Sequence, residues 1–314
     1  MSGDLDRSPI ITVVGATATG KSDLALDLAE HLGGEIINTD SMQFYRGMDI
    51  GTAKLPVEER RGIPHHLIDI LDVTAEANVQ DFQARARAAI ADIRDRGQRP
   101  ILVGGSGLYV RAAVDHMEFP GTDPEVRARL EAEAAADRWG LHQRLRELDP
   151  AAAEKITVND QRRIARALEV IELTGRPFSA QLPDYQELEP TIHLGLSMDR
   201  GILHERIAAR VDLMWEHGWV DEVRRLLAAG LAEGKTASRA IGYAQIQRHL
   251  NGEITAAEAK EETVIRTRQF ARRQDTWFRR DPRIHWIDGT AADAGQNRTR
   301  ALDILAESTD RMET

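Results

Sequence analysis

Residues 15–22 read Gly15-Ala16-Thr17-Ala18-Thr19-Gly20-Lys21-Ser22, a complete G-x-x-x-x-G-K-[ST] phosphate loop. Its surroundings agree with the match. Residues 10–14 are a short apolar, β-branched run, and residues 22–32 place Leu24, Ala25, Leu28 and Leu32 at helical spacing. A strand, a glycine-bearing turn and a helix N-terminus together aim backbone N–H groups and the positive end of a helix dipole at one point. Lys21 is placed to neutralise terminal phosphates there, and the Ser22 hydroxyl to hold Mg²⁺. The loop says that phosphate binds, not whose.

Working outward, residues 35–39 read as a second core strand ending in Asp40-Ser41-Met42-Gln43-Phe44-Tyr45. Open α/β sheets place ligands beyond the carboxyl ends of their strands, so these polar groups belong at the loop's edge of the sheet. Asp40 reads either as a general base or as a strand-end aspartate capping a turn. Residues 66–71 suggest a further strand or sheet edge, residues 81–96 a helix, and residues 100–103 a buried strand feeding Gly104-Gly105-Ser106-Gly107-Leu108-Tyr109. These glycines suit either a structural turn or a close backbone approach to a ligand, with Ser106 available to it. His65 and His66 have no accompanying ligand set and read as structural.

After Val114 the periodicity becomes helical, over residues 125–136, 140–148 and 160–173, with Asp149-Pro150 and Gly175-Arg176-Pro177 as punctuation. Residues 191–196 look like a strand returning to the main sheet. Helices then follow over residues 200–217, 220–229 and 243–250, and a long one over residues 255–280 capped by Thr255 with Glu258 at the capping-box position. Residues 284–288 read as a final edge strand, and a short helix is expected beyond Asn297. The predicted fold is α/β: a P-loop NTPase-like parallel sheet core with an inserted helical lobe. Its parts are residues 1–114 and 191–290 for the core, 115–190 for the lobe, and 291–314 for a tail.

The long helix carries most of the local positive charge. Between Lys260 and Arg280 there are seven Lys or Arg and three Asp or Glu residues, although the whole chain, with 41 basic and 51 acidic residues, has a net charge of −10. At about 100° per residue, Arg268, Arg272 and Arg279 share one side and Arg266, Arg273 and Arg280 another, with Val264, Ala271 and Phe278 as the core-facing stripe. Either a solvated, salt-bridged helix or a phosphate-backbone contact fits. Arg162, Arg163 and Arg166 repeat the pattern in the lobe, where Glu169 and Glu172 are possible partners. The chain has no cysteine, which excludes disulfides, thiol chemistry and cysteine-ligated metal. Residues 1–9 hold no apolar signal core and no stretch approaches a membrane span, so a cytoplasmic location is expected.

Taken together, the phosphate loop, the Asp40–Tyr45 stretch, Gly51-Thr52-Ala53-Lys54, the glycine loop at 104–109, Asn159-Asp160-Gln161-Arg162-Arg163, Ile241-Gly242-Tyr243-Ala244-Gln245 and the run 267–280 resemble the bacterial tRNA dimethylallyltransferase, or tRNA isopentenyltransferase, family. The resemblance implies transfer of a dimethylallyl group from dimethylallyl diphosphate to the exocyclic N6 amine of the adenosine 3′ of the anticodon, in tRNAs reading codons that begin with U. It implies donor diphosphate and Mg²⁺ on Gly15, Ala16, Thr17, Ala18, Thr19, Gly20, Lys21 and Ser22, with Ser22 as the metal ligand. Asp40 would be the base, Ser106 (a position more often threonine) would orient the amine, and Arg210, in preference to Arg206, would meet the diphosphate. The tRNA anticodon stem-loop would contact Asp40, Ser41, Met42, Gln43, Ser106, the lobe residues Arg162, Arg163, Ile164, Ala165 and Arg166, and Arg268, Arg272 and Arg279. A monomer is expected, since both halves of such a channel come from one chain. A small-metabolite kinase also accounts for the phosphate loop and Asp40, and a nucleotide-switched RNA-binding protein for the loop and the arginines.

Overall fold

The computed structural model describes residues 8–181, 185–290 and 294–313. Residues 1–7, which include most of the start read above for a signal core, lie outside the described residues. The chain forms two compact units, Met1–Val114 with Glu187–Thr314, and Asp115–Gln186.

The first unit is built on β1 (Ile10–Gly15), α1 (Lys21–Leu32), β2 (Gly34–Asn38), β3 (His65–His66), α2 (Val79–Asp95), β4 (Arg99–Gly104) and α3 (Gly107–Val114). The second unit supplies α4 (Pro124–Ala136), α5 (Arg138–Leu148), α6 (Pro150–Lys155) and α7 (Gln161–Thr174). The first unit resumes with β5 (Thr191–Ser197), α8 (Arg200–Glu216), α9 (Trp219–Ala228), α10 (Tyr243–Leu250), α11 (Ala256–Phe278), β6 (Ile284–Asp288) and α12 (Ala294–Glu313).

The strands make one parallel sheet in the order β3-β2-β4-β1-β5-β6. Side chains alternate across it. Ile11, Val13, Ile101 and Leu194 join Leu24 and Leu28 of α1 and Ile304 of α12 on one face. Val14 meets Val110 of α3, Phe278 of α11 and Ile284 in a separate cluster. The register matters for function. Val14 pairs with Gly104 and Asn38 with Val103, so the phosphate loop, the turn after β2 and the glycine loop after β4 leave the sheet side by side. The chain runs from β1 to one side of the sheet and from β4 to the other, which opens a crevice at that edge.

Two expectations are corrected and a third is met and extended. The strand read over 66–71 stops at His66, because Leu67 and Asp69 take φ of 60° and 57° and turn the backbone out of the extended region. His66 itself is held at 2.6 Å by Glu35, a structural contact. Asp149-Pro150 does more than separate two helices: Asp149 caps α6 by accepting from the Ala152 N–H at 3.0 Å, with Pro150 in the first turn. The tail is no short helix; α12 runs for 20 residues and buries Ala301, Ile304 and Leu305 in the sheet's core. The capping box on α11 is present, with Thr255 Oγ1 accepting from the Glu258 N–H and Glu258 from the Thr255 N–H at 2.7 Å.

The second unit has its own core of Leu130, Leu141, Leu145, Ile164 and Leu168. Glu169, fully buried there, accepts from Arg127, from Arg166 at 2.7 Å and from the Asp123 N–H at 3.1 Å.

Candidate active site

Two side chains of the phosphate loop are tied back onto its own backbone. Thr19 Oγ1 donates to the Ala16 carbonyl at 2.9 Å, and Lys21 Nζ to the same carbonyl at 2.6 Å. Gly20, the N-cap of α1, has φ of 95°, which only glycine adopts freely. Burial pushes the Lys21 ammonium down to about 7, with the charge of Arg210 acting the same way and that of Asp40 opposing. An anion arriving here would reverse that balance.

Asp40 closes the neighbouring turn. Its Oδ1 accepts from the Met42 N–H at 2.9 Å, so it does cap the 3₁₀ turn Ser41–Phe44. Its second oxygen has no bond among the described residues and the residue lines the crevice. The capping reading of Asp40 is therefore met by one oxygen, and the other is left facing the crevice. Burial raises its pKa above the ordinary carboxylate value, outweighing the Met42 N–H and the Lys21 charge. Phe44, behind the turn, stacks on Phe82 at 5.5 Å, and Tyr109 closes on Phe82 at 4.8 Å, which holds the turn from the rear.

Two cavities meet at this edge. The first, of about 220 Å³, contains Lys21, Ser22, Asp23, Asn38, Gln43 and His65. The second, of about 500 Å³, is lined by Ser41, Met42, Ser106, Met214, Trp219 and Trp277, among others. Thr17, Asp40, Thr52, Gly105, Arg210 and Gln274 border both. Arg210 of α8 thus faces each chamber, whereas Arg206 borders neither and donates to the Met198 sulfur at 3.8 Å. Burial, with Arg206 nearby, lowers the Arg210 pKa from its ordinary value, but a guanidinium keeps its charge at neutral pH. A carboxylate and a guanidinium shared between the phosphate loop's cavity and an aromatic-walled one would suit attack by a nucleophile from one side on a carbon bearing a phosphate leaving group on the other.

A family model described as IPP transferase matches residues 43–281. A tRNA dimethylallyltransferase of Thermobifida fusca is 60% identical over 309 residues, covering 96% of each chain. One of Nocardioides sp. is 61% identical over 284 residues, covering 90% of this chain and 92% of the other. The chain belongs to the IPP transferase family. Solved structures agree. The full-length tRNA isopentenylpyrophosphate transferase of Bacillus halodurans matches with a TM-score of 0.72 at 38% identity, over 98% of this chain and all of that one. A eukaryotic dimethylallyltransferase acting on tRNA matches with a TM-score of 0.83 at 30% identity, over 98% of this chain and 80% of that one.

Within this IPP transferase fold the other expected site residues are placed unequally. Of the 15–22 loop, Thr17, Ala18, Gly20, Lys21 and Ser22 line the crevice with Asp40, Ser41, Met42, Gln43, Ser106 and Arg210, whereas Gly15 closes β1 and Ala16 and Thr19 are buried and line neither cavity. In the second unit, Arg162 and Arg163 are exposed at the start of α7. Ile164 and Ala165 are fully buried in that unit's core, and Arg166 is spent on Glu169 and the Pro120 carbonyl. Their side chains are structural. On α11 the three arginines do not form one solvent face. Arg268 is half-buried and donates to the His204 carbonyl at 3.2 Å, while Arg279 is fixed by Asp275 and by the Trp286 ring 5.1 Å away. Arg272 is exposed. The core stripe also differs, since Thr263 and Gln274 are buried and Val264 is not.

Gln274 is a position of the crevice that sequence reasoning passed over. Its Oε1 accepts from the Thr17 N–H at 2.8 Å and its Nε2 donates to the Gly105 carbonyl at 2.9 Å. Gly105 must be glycine for this, because a Cβ there would lie 2.0 Å from Nε2. The available signal was a polar residue on the buried stripe, three residues beyond Ala271 and four before Phe278.

Proposed function

We propose that the chain transfers a dimethylallyl group from dimethylallyl diphosphate to the N6 amine of the adenosine 3′ of the anticodon, in tRNAs reading codons that begin with U. The observation that carries the reading is the ring of Asp40, Arg210 and Gln274 common to the two cavities. Diphosphate belongs in the smaller chamber, against the α1 N-terminus, Lys21 and Arg210. The adenine enters the larger one, which requires that its nucleotide be flipped out of the RNA stack. The amine nitrogen bonds to the allylic carbon as that carbon's bond to the diphosphate oxygen breaks. Asp40 stabilises the positive character growing on the nitrogen and accepts its proton. Lys21 and Arg210 stay with the departing diphosphate, and Ser106 borders the amine's chamber where its hydroxyl can orient the acceptor.

For Mg²⁺ the donor set is informative. Among the described residues no three His, Asp or Glu side chains gather as a cage, whereas Ser22 is exposed on the phosphate chamber beside Asp23. That suits a hydrated ion carried largely on substrate phosphate oxygens, with the Ser22 hydroxyl as its protein ligand. Bound there, it would neutralise leaving-group charge. No helix among the described residues is long and apolar enough to cross a membrane, and we place the enzyme in the cytoplasm with its tRNA substrates. The whole ring comes from one chain, so a monomer suffices.

The test is incubation of purified protein with unmodified tRNA, labelled dimethylallyl diphosphate and Mg²⁺, followed by mapping of the label. Label on the adenosine 3′ of the anticodon is the expected result. Phosphorylation of a small alcohol from ATP, with no label on tRNA, would overturn the reading in favour of a kinase.

A further inference from the structure

The backbone wall shared by the two cavities, Thr52 and Ala53, belongs to a loop fastened by side chains distant in sequence. Glu222 of α9, only 2% exposed, reaches this loop from its far side. Its Oε2 accepts from the N–H groups of Asp49 at 3.1 Å and Ile50 at 2.7 Å, and its Oε1 from that of Gly51 at 3.3 Å. Oε1 also accepts from the Tyr243 hydroxyl at 2.6 Å. No Lys, Arg or His pairs with Glu222 among the described residues; the carboxylate is held by a concave run of backbone amides and one phenol. Such nests of consecutive N–H groups bind anions, here one supplied by the chain itself.

The other end of the loop has the opposite charge. Lys54 Nζ, with its side chain almost fully buried, donates to Asp49 Oδ1 and Asp69 Oδ1, each at 2.6 Å, and to the Tyr45 carbonyl at 2.9 Å. Between the two clamps Ala53 sits at φ of 50°, a conformation a non-glycine residue leaves readily unless held. The Thr52 carbonyl accepts from Gln43 Nε2 at 3.1 Å, which ties the loop to the turn that begins at Asp40. Trp219, one turn before Glu222 on α9, lies so close that a Cβ on Gly51 would come within 2.1 Å of its indole nitrogen.

We propose that Glu222 is a positioning residue for the transfer: its carboxylate fixes residues 49–51 so that Thr52 and Ala53 hold the wall between donor and acceptor at reacting distance. The inference rests on the function proposed above. A buried, multiply bonded carboxylate sets a backbone more sharply than packing alone, since its removal leaves three amides unsatisfied. A misplacement of about 1 Å in a reacting geometry can cost on the order of 10²-fold in rate.

The experiment uses the full chain with three variants. Glu222→Gln keeps the shape but turns an N–H₂ against the loop's own N–H groups. Glu222→Asp keeps the charge with a shorter reach, and serves alone should Glu222→Gln not fold. Tyr243→Phe removes the phenol bond and leaves the loop amides paired. Saturating single-turnover transfer is measured together with hydrogen exchange at the Ile50 and Gly51 amides. The Glu222 variants are expected to lose protection at those amides and about 10²-fold in transfer rate, with donor affinity changed less than about threefold. Tyr243→Phe should stay within about threefold of wild type in rate. Lost protection with an unchanged rate, or retained protection in both Glu222 variants, would overturn the inference, as would an equal loss in Tyr243→Phe. Failure of the wild-type protein to transfer at all would instead count against the function itself.

Discussion

The N–H of Thr17 and the side chain of Gln274 are bonded at 2.8 Å although 257 residues separate them. The Gln274 Nε2 donates to the Gly105 carbonyl, so one side chain of α11 splices the loop after β1 to the loop after β4. Both loops border both cavities. The alignment of the two cavities therefore depends on a helix whose opposite side carries exposed cationic groups.

Gln274→Leu should leave the Thr17 N–H and the Gly105 carbonyl without partners. Both groups are only part-buried at the crevice, so the cost of each falls below the roughly 1–3 kcal/mol of a fully buried group; a modestly lower melting temperature is expected together with weaker donor binding. Gln274→Glu should be worse for the donor, because it places negative charge beside the diphosphate chamber. Melting curves and donor titrations compare the two. Donor affinity equal in wild type and Gln274→Glu would remove Gln274 from the site.

Lys21 should make donor binding pH-dependent. In the free protein its pKa lies at about 7, so near pH 8 most molecules carry it neutral and diphosphate must recharge it. Proton uptake on donor binding at pH 8 is expected to exceed that of Lys21→Met by nearly one proton, and the difference should vanish towards pH 6. Calorimetry in buffers of different ionisation enthalpy reads this directly.

The same shift has a stability sign. An unfolded lysine titrates near 10.5, so between about 7 and 10.5 the unfolded chain holds more protons and stability rises with pH. The penalty of a charged, buried Lys21 is full below about 7 and gone by about 10.5. Lys21→Met should therefore melt higher than wild type at pH 6.5, with the advantage shrinking as pH rises, while losing donor use. Equal melting temperatures across that range would mean that Lys21 is not desolvated.

Much of this arrangement was legible in the sequence. Short β-branched runs between glycines marked the strands on either side of the phosphate loop, and Thr255 with Glu258 marked the start of α11 within one residue. Local signals suffice there, because strand burial and helix capping are set by near neighbours. Elsewhere the cause is remote. The early end of β3 follows from backbone turns at Leu67 and Asp69, the latter drawn to Lys54. Gln274 and Glu222 look like ordinary polar helix residues until the loops they hold, more than 160 residues earlier, fold against them. The arginines of α11 were visible as a charge pattern, but helical spacing could not say that Arg268 would turn inwards to the His204 carbonyl.

That difference among arginines can be measured. Arg272→Ala should lower the slope of log tRNA affinity against log salt by about one, with little change in melting temperature. Arg268→Ala should do the reverse, since it removes a half-buried side chain bonded to α8. Opposite outcomes would place the RNA backbone on the Arg268 side.

Asp40 is where the two chambers, the phosphate loop and the turn after β2 converge, with one oxygen fixed by the Met42 N–H and the other open to the crevice. Because burial raises its pKa, transfer should fall on acidification along a limb above the ordinary carboxylate range. The most direct test is rapid-quench single-turnover transfer by Asp40→Asn with both substrates saturating. The substitution keeps the side chain's size but removes its charge and its capacity to take the proton. The expected result is a loss of about 10²- to 10⁴-fold in the chemical step, disappearance of the acidic limb, and nearly unchanged donor and tRNA binding. A chemical rate close to wild type would contradict it.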